Sequence, residues 1–489
     1  MATTNQRRVR FAVLGDTHFV DPPPAVDGAG PGRKAPSASY AFSAEVTRTT
    51  WPRIAAQIRA AAPDFVIQTG DLVHGGWDDA AANEADLRAA LARLETLGCP
   101  VLVAQGNHDR SPAAIAVPAW RSVVLPWVAG QLQQLGCTHP PEREYYLADV
   151  GGCRIVVLDP TLEPGDAQHA FLRRVLAEQA PPRRFVAGHY PIVPLGRPAF
   201  APFPYATTLG PQLAAAGVDA YLCAHTHNQT VSVHHYAAGP LLQVTGSPMG
   251  VLPGTAHRFG SGVLPLEVTR ALWAGPHPCQ YLWGFLEDTA PGWYLIDAAA
   301  NGVTLTWHTV TDAARAHARW EQPGLISEFT PPPGRALPAV GAADLAHARA
   351  ARLRLAGHGA PAGMPVRLNG TAIGALPALG SFAPAPVLEL APEHLSLLRL
   401  ENEVEIATPV DAALLLGALL IEVDRQDGSC VRTRPSPRLW TTLPAAGPPA
   451  RGGLDQWVAG SGPDGESWFG EHLTRISPGD VIRAGPVAF

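Results

Sequence analysis

Six short, almost continuously apolar runs constrain this chain most: 9–15, 65–69, 101–105, 155–158, 184–187 and 220–224. Side chains in a strand alternate between two faces, so a run without a polar face is buried on both sides. Helical spacing separates the runs. Over 84–97, Leu87, Leu91 and Leu94 share one face, with Arg88, Arg93 and Glu95 elsewhere, and Gly98 and Pro100 stop the helix. This alternation predicts a layered α/β domain whose ligands collect beyond the carboxyl ends of the strands.

Five polar strings occupy those strand ends: Asp16-Thr17-His18, Gly70-Asp71, Gly106-Asn107-His108-Asp109, Gly188-His189 and Ala224-His225-Thr226-His227. Two of their three Asp, one Asn and several His are enough oxygen and nitrogen ligands for two divalent metals. Residues two apart in an extended segment point the same way, so Asp16/His18 and His225/His227 can each converge on one small volume. One such string is common in loops. Five in order, with no ligand type missing, point to a metal centre.

The ordered set resembles the calcineurin-like metallophosphoesterase family over roughly the first 310 residues. The resemblance implies an α/β fold, a four-layer α/β/β/α sandwich, here followed by a smaller C-terminal all-β domain. It implies that Asp16, His18 and His227 hold one metal, that Asn107, His189 and His225 hold the other, and that Asp71 bridges them. The cofactors would be two divalent ions, Mn, Fe, Zn or Mg. Two carboxylates against four positive charges leave a cationic centre suited to an anionic substrate. The resemblance also implies that His108 faces the substrate, where it can give a hydrogen bond or proton to the leaving oxygen. Asp109 would orient His108 or a neighbouring backbone group. The family usually shows Gly at position 224; Ala224 restricts φ there and removes no ligand. His74 reads as a solvated loop histidine within reach of the cavity, and His234 and His235 as surface or structural residues.

At 489 residues, 46% hydrophobic and 16% charged, the chain predicts two globular domains. A net charge of −6 argues against nonspecific binding to long nucleic acid, which needs a basic stripe. The six Cys form no CxxC pair and imply a reducing compartment. Residues 1–10 lead straight into the first strand, and the apolar run 412–421 is too short to span a bilayer. The expectation is a cytoplasmic protein with no membrane contact.

The catalytic domain is expected over 1–312, followed by a linker over 313–361 with a helix at 342–355. A small β-sandwich over 362–445 and an irregular Gly/Pro-rich tail over 446–489 complete the chain. Asn369-Gly370 and Asp427-Gly428 mark hairpin turns of the β-domain. That domain would serve a partner, an oligomer contact or a cap. Two aperiodic insertions, 19–50 with Arg33, Lys34, Tyr40 and Arg48, and 246–292 with His257, Arg258, Trp273, Tyr281, Trp283 and Phe285, would roof the site.

The expected activity is metal-dependent phosphoric ester hydrolysis by a two-metal-activated hydroxide, with His108 assisting the leaving group. The substrate would be a small phosphomonoester or a nucleotide-type phosphodiester. A cyclic-nucleotide phosphodiesterase is the alternative within the class, and a non-catalytic docking module on the same fold is the alternative outside it.

Overall fold

The computed structural model describes residues 8–20, 38–138, 141, 143–160, 167–178, 181–192, 208–227, 229–247, 279–287, 291–310, 314–330, 341–358, 361–378, 385–407, 412–433, 439–442, 474–476 and 481–488. Arg33, Lys34, His257, Arg258 and Trp273 of the two insertions lie outside these, as does most of the 446–489 tail.

The apolar runs become strands. They are β1 (Val9–Leu14), β2 (Phe65–Gln68), β3 (Val101–Val103), β4 (Tyr146–Val150), β5 (Cys153–Val157), β6 (Arg183–Ala187), β7 (Ala220–Cys223), β8 (Gln229–Tyr236), β9 (Gly239–Thr245), β10 (Cys279–Glu287), β11 (Gly292–Ala299), β12 (Gly302–Thr309), β13 (Ala314–Gln322) and β14 (Leu325–Thr330). Every residue of β2, β5 and β7 is buried, which explains the missing polar face. Two mixed seven-stranded sheets result, in the orders β14-β13-β12-β11-β1-β2-β3 and β10-β8-β9-β7-β6-β5-β4. Strands β1, β2 and β3 run parallel in the first sheet, and β5, β6, β7 and β9 in the second. Parallel order puts the carboxyl ends of β1, β2 and β3 on one rim, and those of β6 and β7 on the matching rim of the second sheet.

The sheets share one core. Phe11 of β1 stacks on Phe65 of β2 at 5.0 Å and meets Phe185 of β6 edge-on at 5.1 Å. A fully buried Phe contributes about 1.5–3 kcal/mol, so this trio anchors both sheets. At the far rim Arg183 pairs with buried Asp219 at 2.9 Å and donates to the carbonyls of Ala299, Ala300 and Glu321. That buried charge is satisfied from both sheets.

Helix α1 (Ala38–Thr49) lies within the first insertion and α2 (Trp51–Ala61) follows it, so residues 38–49 of the insertion are ordered helix rather than aperiodic loop. Helix α3 (Ala80–Glu95) buries Leu87, Leu91 and Leu94 as the spacing predicts, and begins earlier because the Asp79 carboxylate caps the Ala82 amide at 2.7 Å. Among the described residues, Ala113–Gln134 is long and apolar enough to cross a membrane, but it sends Trp120, Val124, Val128 and Leu132 into the shared core. The second insertion contributes β10, which carries Tyr281, Trp283 and Phe285 and pairs with β8.

The C-terminal region is β-rich, with separate sheets over a second core of Leu353, Leu355, Val366, Leu368, Val404, Ile406 and Ile421. The helix expected over 342–355 is a correction. Only Ala342–Ala346 is helical, and Ala348–His358 is a strand paired with Ala412–Arg425. Ala351, Leu353 and Leu355 alternate with Arg352 and Arg354, a period of two that buries one face. The arginines meet Glu422 and Asp424 across the ladder at 2.7–2.8 Å. These cross-strand contacts override the helix propensity of Ala, Leu and Arg. The tail holds strands too, Thr474–Ile476 and Val481–Ala488, paired with Ala412–Arg425 and Glu401–Ala407. Both predicted hairpins form, and at the first Asn369 and Gly370 adopt φ of 49° and 83°, as a type I′ turn requires.

Candidate metal centre

Loops leaving β1, β2 and β3 meet loops leaving β6 and β7, and the predicted ligands converge there. Asp16, His18, Asp71 and His227 bring one ligand atom each to within 4.8 Å of one another, and so do Asp71, His189 and His225. Asp71 belongs to both groups. Its Oδ2 stands 3.3 Å from Nε2 of His18 and 3.3 Å from Nε2 of His189. Nε2 of His189 is also 2.9 Å from Oδ1 of Asn107 and 3.2 Å from Nδ1 of His225, which brings Asn107 into the second group.

The backbone is strained to achieve this. Among the described residues seven non-glycine residues have positive φ, and five are Asp16, His18, Asp71, His225 and His227, at 49°, 41°, 53°, 70° and 57°. A non-glycine residue in this region costs about 1–3 kcal/mol and persists only where its surroundings over-determine it. Here the amides of Asp16 and His18 donate to the carbonyls of Gly70 and Asp71, each at 2.9 Å, and zip the β1 and β2 loops together.

Protonation follows the packing. Burial, reinforced by His108, pushes His18 down to about 4, so its ring is neutral at neutral pH. Burial also works against a charged His189, but the Asp71 carboxylate outweighs it and raises that ring to about 9. Asp71 is buried, yet His189, His108 and His18 hold its carboxyl well below the usual carboxylate range. Nδ1 of His189 donates to the Thr69 carbonyl at 3.0 Å, which leaves Nε2 to face the shared oxygen. Nδ1 of buried His18 has no hydrogen-bond partner. Nitrogen and oxygen donors crowded around one shared carboxylate fit divalent metal, which would replace the proton that His189 otherwise carries.

Residues 9–229 match the family model described as calcineurin-like phosphoesterase. Over these residues the chain is similar to calcineurin-like phosphoesterases. The chain is 30% identical over 181 residues to a protein of Rhodococcus erythropolis named a probable cyclic nucleotide phosphodiesterase. That match covers 35% of this chain and 54% of the relative, so the chain spans about half of that protein's length. Similar solved structures include a purple acid phosphatase from yellow lupin (Lupinus luteus) seeds, with 16% identity, a TM-score of 0.39, and coverage of 66% of this chain and 53% of that one. A dimetal phosphatase from Danio rerio has 13% identity and a TM-score of 0.35, covering 64% of this chain and 99% of that one.

The matched region depends on close backbone approach between its loops. A Cβ on Gly106 would collide with the amide of Asp71, and one on Gly70 would lie 2.6 Å from Nδ1 of His189. Ala224 needs no positive φ, and its methyl instead fills the space that a side chain at Gly15 would take. Thus the departure at 224 is accommodated.

His108 is half-buried beside the first group, its ring 4.5 Å from that of His18. Its amide donates to Oδ1 of Asp71 at 2.8 Å, and Nδ1 donates to the His74 carbonyl at 2.6 Å. Asp109 takes the second of its two expected roles, orienting backbone. Its carboxylate accepts from the amides of Leu72, Val73 and Gly106 at 3.2, 3.1 and 2.7 Å. Burial and the Asp71 charge raise that carboxyl to about 6, against the three amides.

His74 and Tyr190 are additions to the site. His74 brings a ring nitrogen within 4.8 Å of nitrogens of His18 and His108, so it belongs to the cavity rather than to a solvated loop. Only its place three residues after Asp71 hinted at this. Tyr190, directly after His189, sets its ring edge-on to His225 at 4.6 Å. His234 is buried and lies 3.0 Å from the Ser232 hydroxyl, away from the centre.

Proposed function

We propose that this chain hydrolyses phosphoric esters at a two-metal centre held by Asp16, His18, Asp71, Asn107, His189, His225 and His227. One observation supports the reading: Oδ2 of Asp71 lies 3.3 Å from Nε2 of His18 and 3.3 Å from Nε2 of His189, so one carboxylate faces both groups of candidate ligands. Divalent ions bound there would supply Lewis acidity and an activated water.

The chain's own residues do the rest. Asp71 holds the two halves of the centre in register, and His189 is oriented by Thr69. His108 stands where a leaving group would depart, with Nδ1 committed to a carbonyl and Nε2 left for the substrate. As the phosphorus–oxygen bond breaks, its electron pair stays on the departing oxygen, and protonated His108 supplies the proton from Nε2. Water forms the new phosphorus–oxygen bond and releases one proton to solvent, from which His108 regains the proton it gave.

A small phosphomonoester or a nucleotide-type phosphodiester is the proposed substrate class, with long nucleic acid disfavoured by the net charge of −6. Cyclic-nucleotide phosphodiesterase is the second reading, favoured by the name of the Rhodococcus erythropolis relative. The four-layer α/β/β/α order, a cytoplasmic location and a partner or oligomer role for the β-rich C-terminal region belong to the same proposal. The test is hydrolysis of p-nitrophenyl phosphate, bis-p-nitrophenyl phosphate, cyclic AMP and nucleotides by protein reconstituted with Mn²⁺, beside Asp71→Asn. Turnover lost in the variant supports the shared-carboxylate centre, and the preferred ester separates monoesterase from diesterase. No turnover on any of these esters with Mn²⁺, Fe²⁺, Zn²⁺ or Mg²⁺ points to a narrower substrate or to the docking module.

A further inference from the structure

To take up a proton at Nε2 and give it to a leaving oxygen, His108 needs its hydrogen-bearing Nδ1 fixed and its ring held in one direction. The expected partner, the adjacent Asp109, spends its carboxylate on backbone amides. The ring is held instead by the main-chain carbonyl of His74, at 2.6 Å from Nδ1. A carbonyl only accepts, so Nδ1 carries the hydrogen and Nε2 is the atom left to face the substrate.

That carbonyl is held in turn. Nδ1 of the His74 ring is 3.0 Å from the hydroxyl of Ser43, which is buried on helix α1, and the ring packs edge-on to Tyr40 of the same helix at 5.5 Å. The His74 amide donates to the Phe19 carbonyl at 3.3 Å. Thr47, one turn beyond Ser43, accepts from the Val20 amide at 3.3 Å and donates to the Ser43 carbonyl at 2.9 Å. On the other side a Cβ on Gly75 would run into the His108 carbonyl, and the Gly76 amide donates to the Ser111 carbonyl at 3.0 Å. The segment 73–76 is therefore clamped between helix α1 and the turn that carries His108.

We propose that Ser43 and His74 are a positioning pair, by which helix α1 of the first insertion sets the tautomer and direction of His108. This rests on the phosphoesterase reading above and adds a function for the insertion that follows the first metal motif. Ser43 acts through His74, and His74 through its carbonyl; neither need touch the reacting atoms.

The test compares full-length wild type with Ser43→Ala, which removes one oxygen, and with His74→Phe, which keeps a ring of similar breadth. Each is reconstituted with Mn²⁺ and assayed on phenyl and p-nitrophenyl esters of whichever type the wild type cleaves. Phenolate needs a proton to leave far more than p-nitrophenolate does. We expect kcat on the phenyl ester to fall about ten- to hundredfold in both variants, with little change on the p-nitrophenyl ester and unchanged metal content. In the metal-free protein, nitrogen-15 histidine spectra should show His108 protonated at Nδ1 in wild type and a mixture of tautomers in Ser43→Ala. Equal losses on both esters, or an unaltered His108 tautomer in Ser43→Ala, overturn the pair. Should wild type cleave neither ester, the phosphoesterase reading fails on its own terms, and the tautomer measurement still decides the positioning.

Discussion

The main-chain amide of His225 donates to Oδ1 of Asp16 at 2.9 Å across 209 positions of sequence. Asp16 leaves β1 of the first sheet and His225 leaves β7 of the second, so the carboxylate of one candidate ligand is also a bond between the sheets. The candidate metal centre is therefore part of the joint that holds them in register.

Separate effects are expected from two substitutions at Asp16. Asp16→Asn keeps an oxygen for the His225 amide and loses the charge. Its metal-free melting temperature should stay near that of wild type while Mn²⁺ affinity falls more than about tenfold. Asp16→Ala also strands a buried amide, adding a loss of about 1–3 kcal/mol of stability. Calorimetric metal titration and urea unfolding read the two terms independently, and equal stabilities for Asn and Ala would refute the inter-sheet role.

Asp109 satisfies three amides on the loops that carry Asp71 and Asn107. Asp109→Asn leaves one acceptor oxygen and turns a donor toward an amide, so a destabilisation of about 1–3 kcal/mol is expected. If Asp109 instead acted through His108, the variant would keep wild-type stability and lose activity alone.

Gly106→Ala tests the close approach of the β3 loop to Asp71. Its methyl would overlap the Asp71 amide, which already belongs to a residue at positive φ. A loss of about 1–3 kcal/mol is expected from such overpacking, together with weakened metal binding. Gly98→Ala is the contrast. No atom lies near its Cβ position, so only the strain of its φ of 74° should register, without loss of metal binding.

Acid sensitivity should arise partly at Asp297 on β11. Its carboxylate bonds Arg8 and Arg10, and although burial opposes them, they hold its carboxyl below the usual range. A depressed folded-state pKa means that the unfolded chain binds the proton more readily. The stabilisation is thus present above pH about 4 and is lost as pH falls through the folded value. Because Arg8 is 60% exposed and Arg10 38%, the contribution is small, about 1 kcal/mol or less. Urea unfolding between pH 5 and 3 should show a shallower acid dependence in Asp297→Asn than in wild type.

Strand runs and ligand strings were legible in the chain itself because both are local. Burial on two faces removes polar residues from 65–69 or 220–224, and a turn at a strand end needs the Gly and Asp that stand there. The helix expected over 342–355 failed for the opposite reason: Arg352 and Arg354 look helical until Glu422 and Asp424 are set beside them, about 70 positions away. From sequence His74 looks like a loop histidine, because Ser43, which meets its ring, lies 31 positions earlier on a helix without clear periodicity.

The order and chemistry of the ligands, the α/β alternation and the two Asx-Gly hairpins were determined by the sequence alone, since each depends on neighbours within a few residues. Tertiary structure alone decided that Oδ2 of Asp71 stands between two imidazoles, that Asp109 serves backbone amides, and that helix α1 reaches His108 through His74. Each of these is a contact between distant segments, and its energy exists only once the two sheets have packed and excluded water from the space between them.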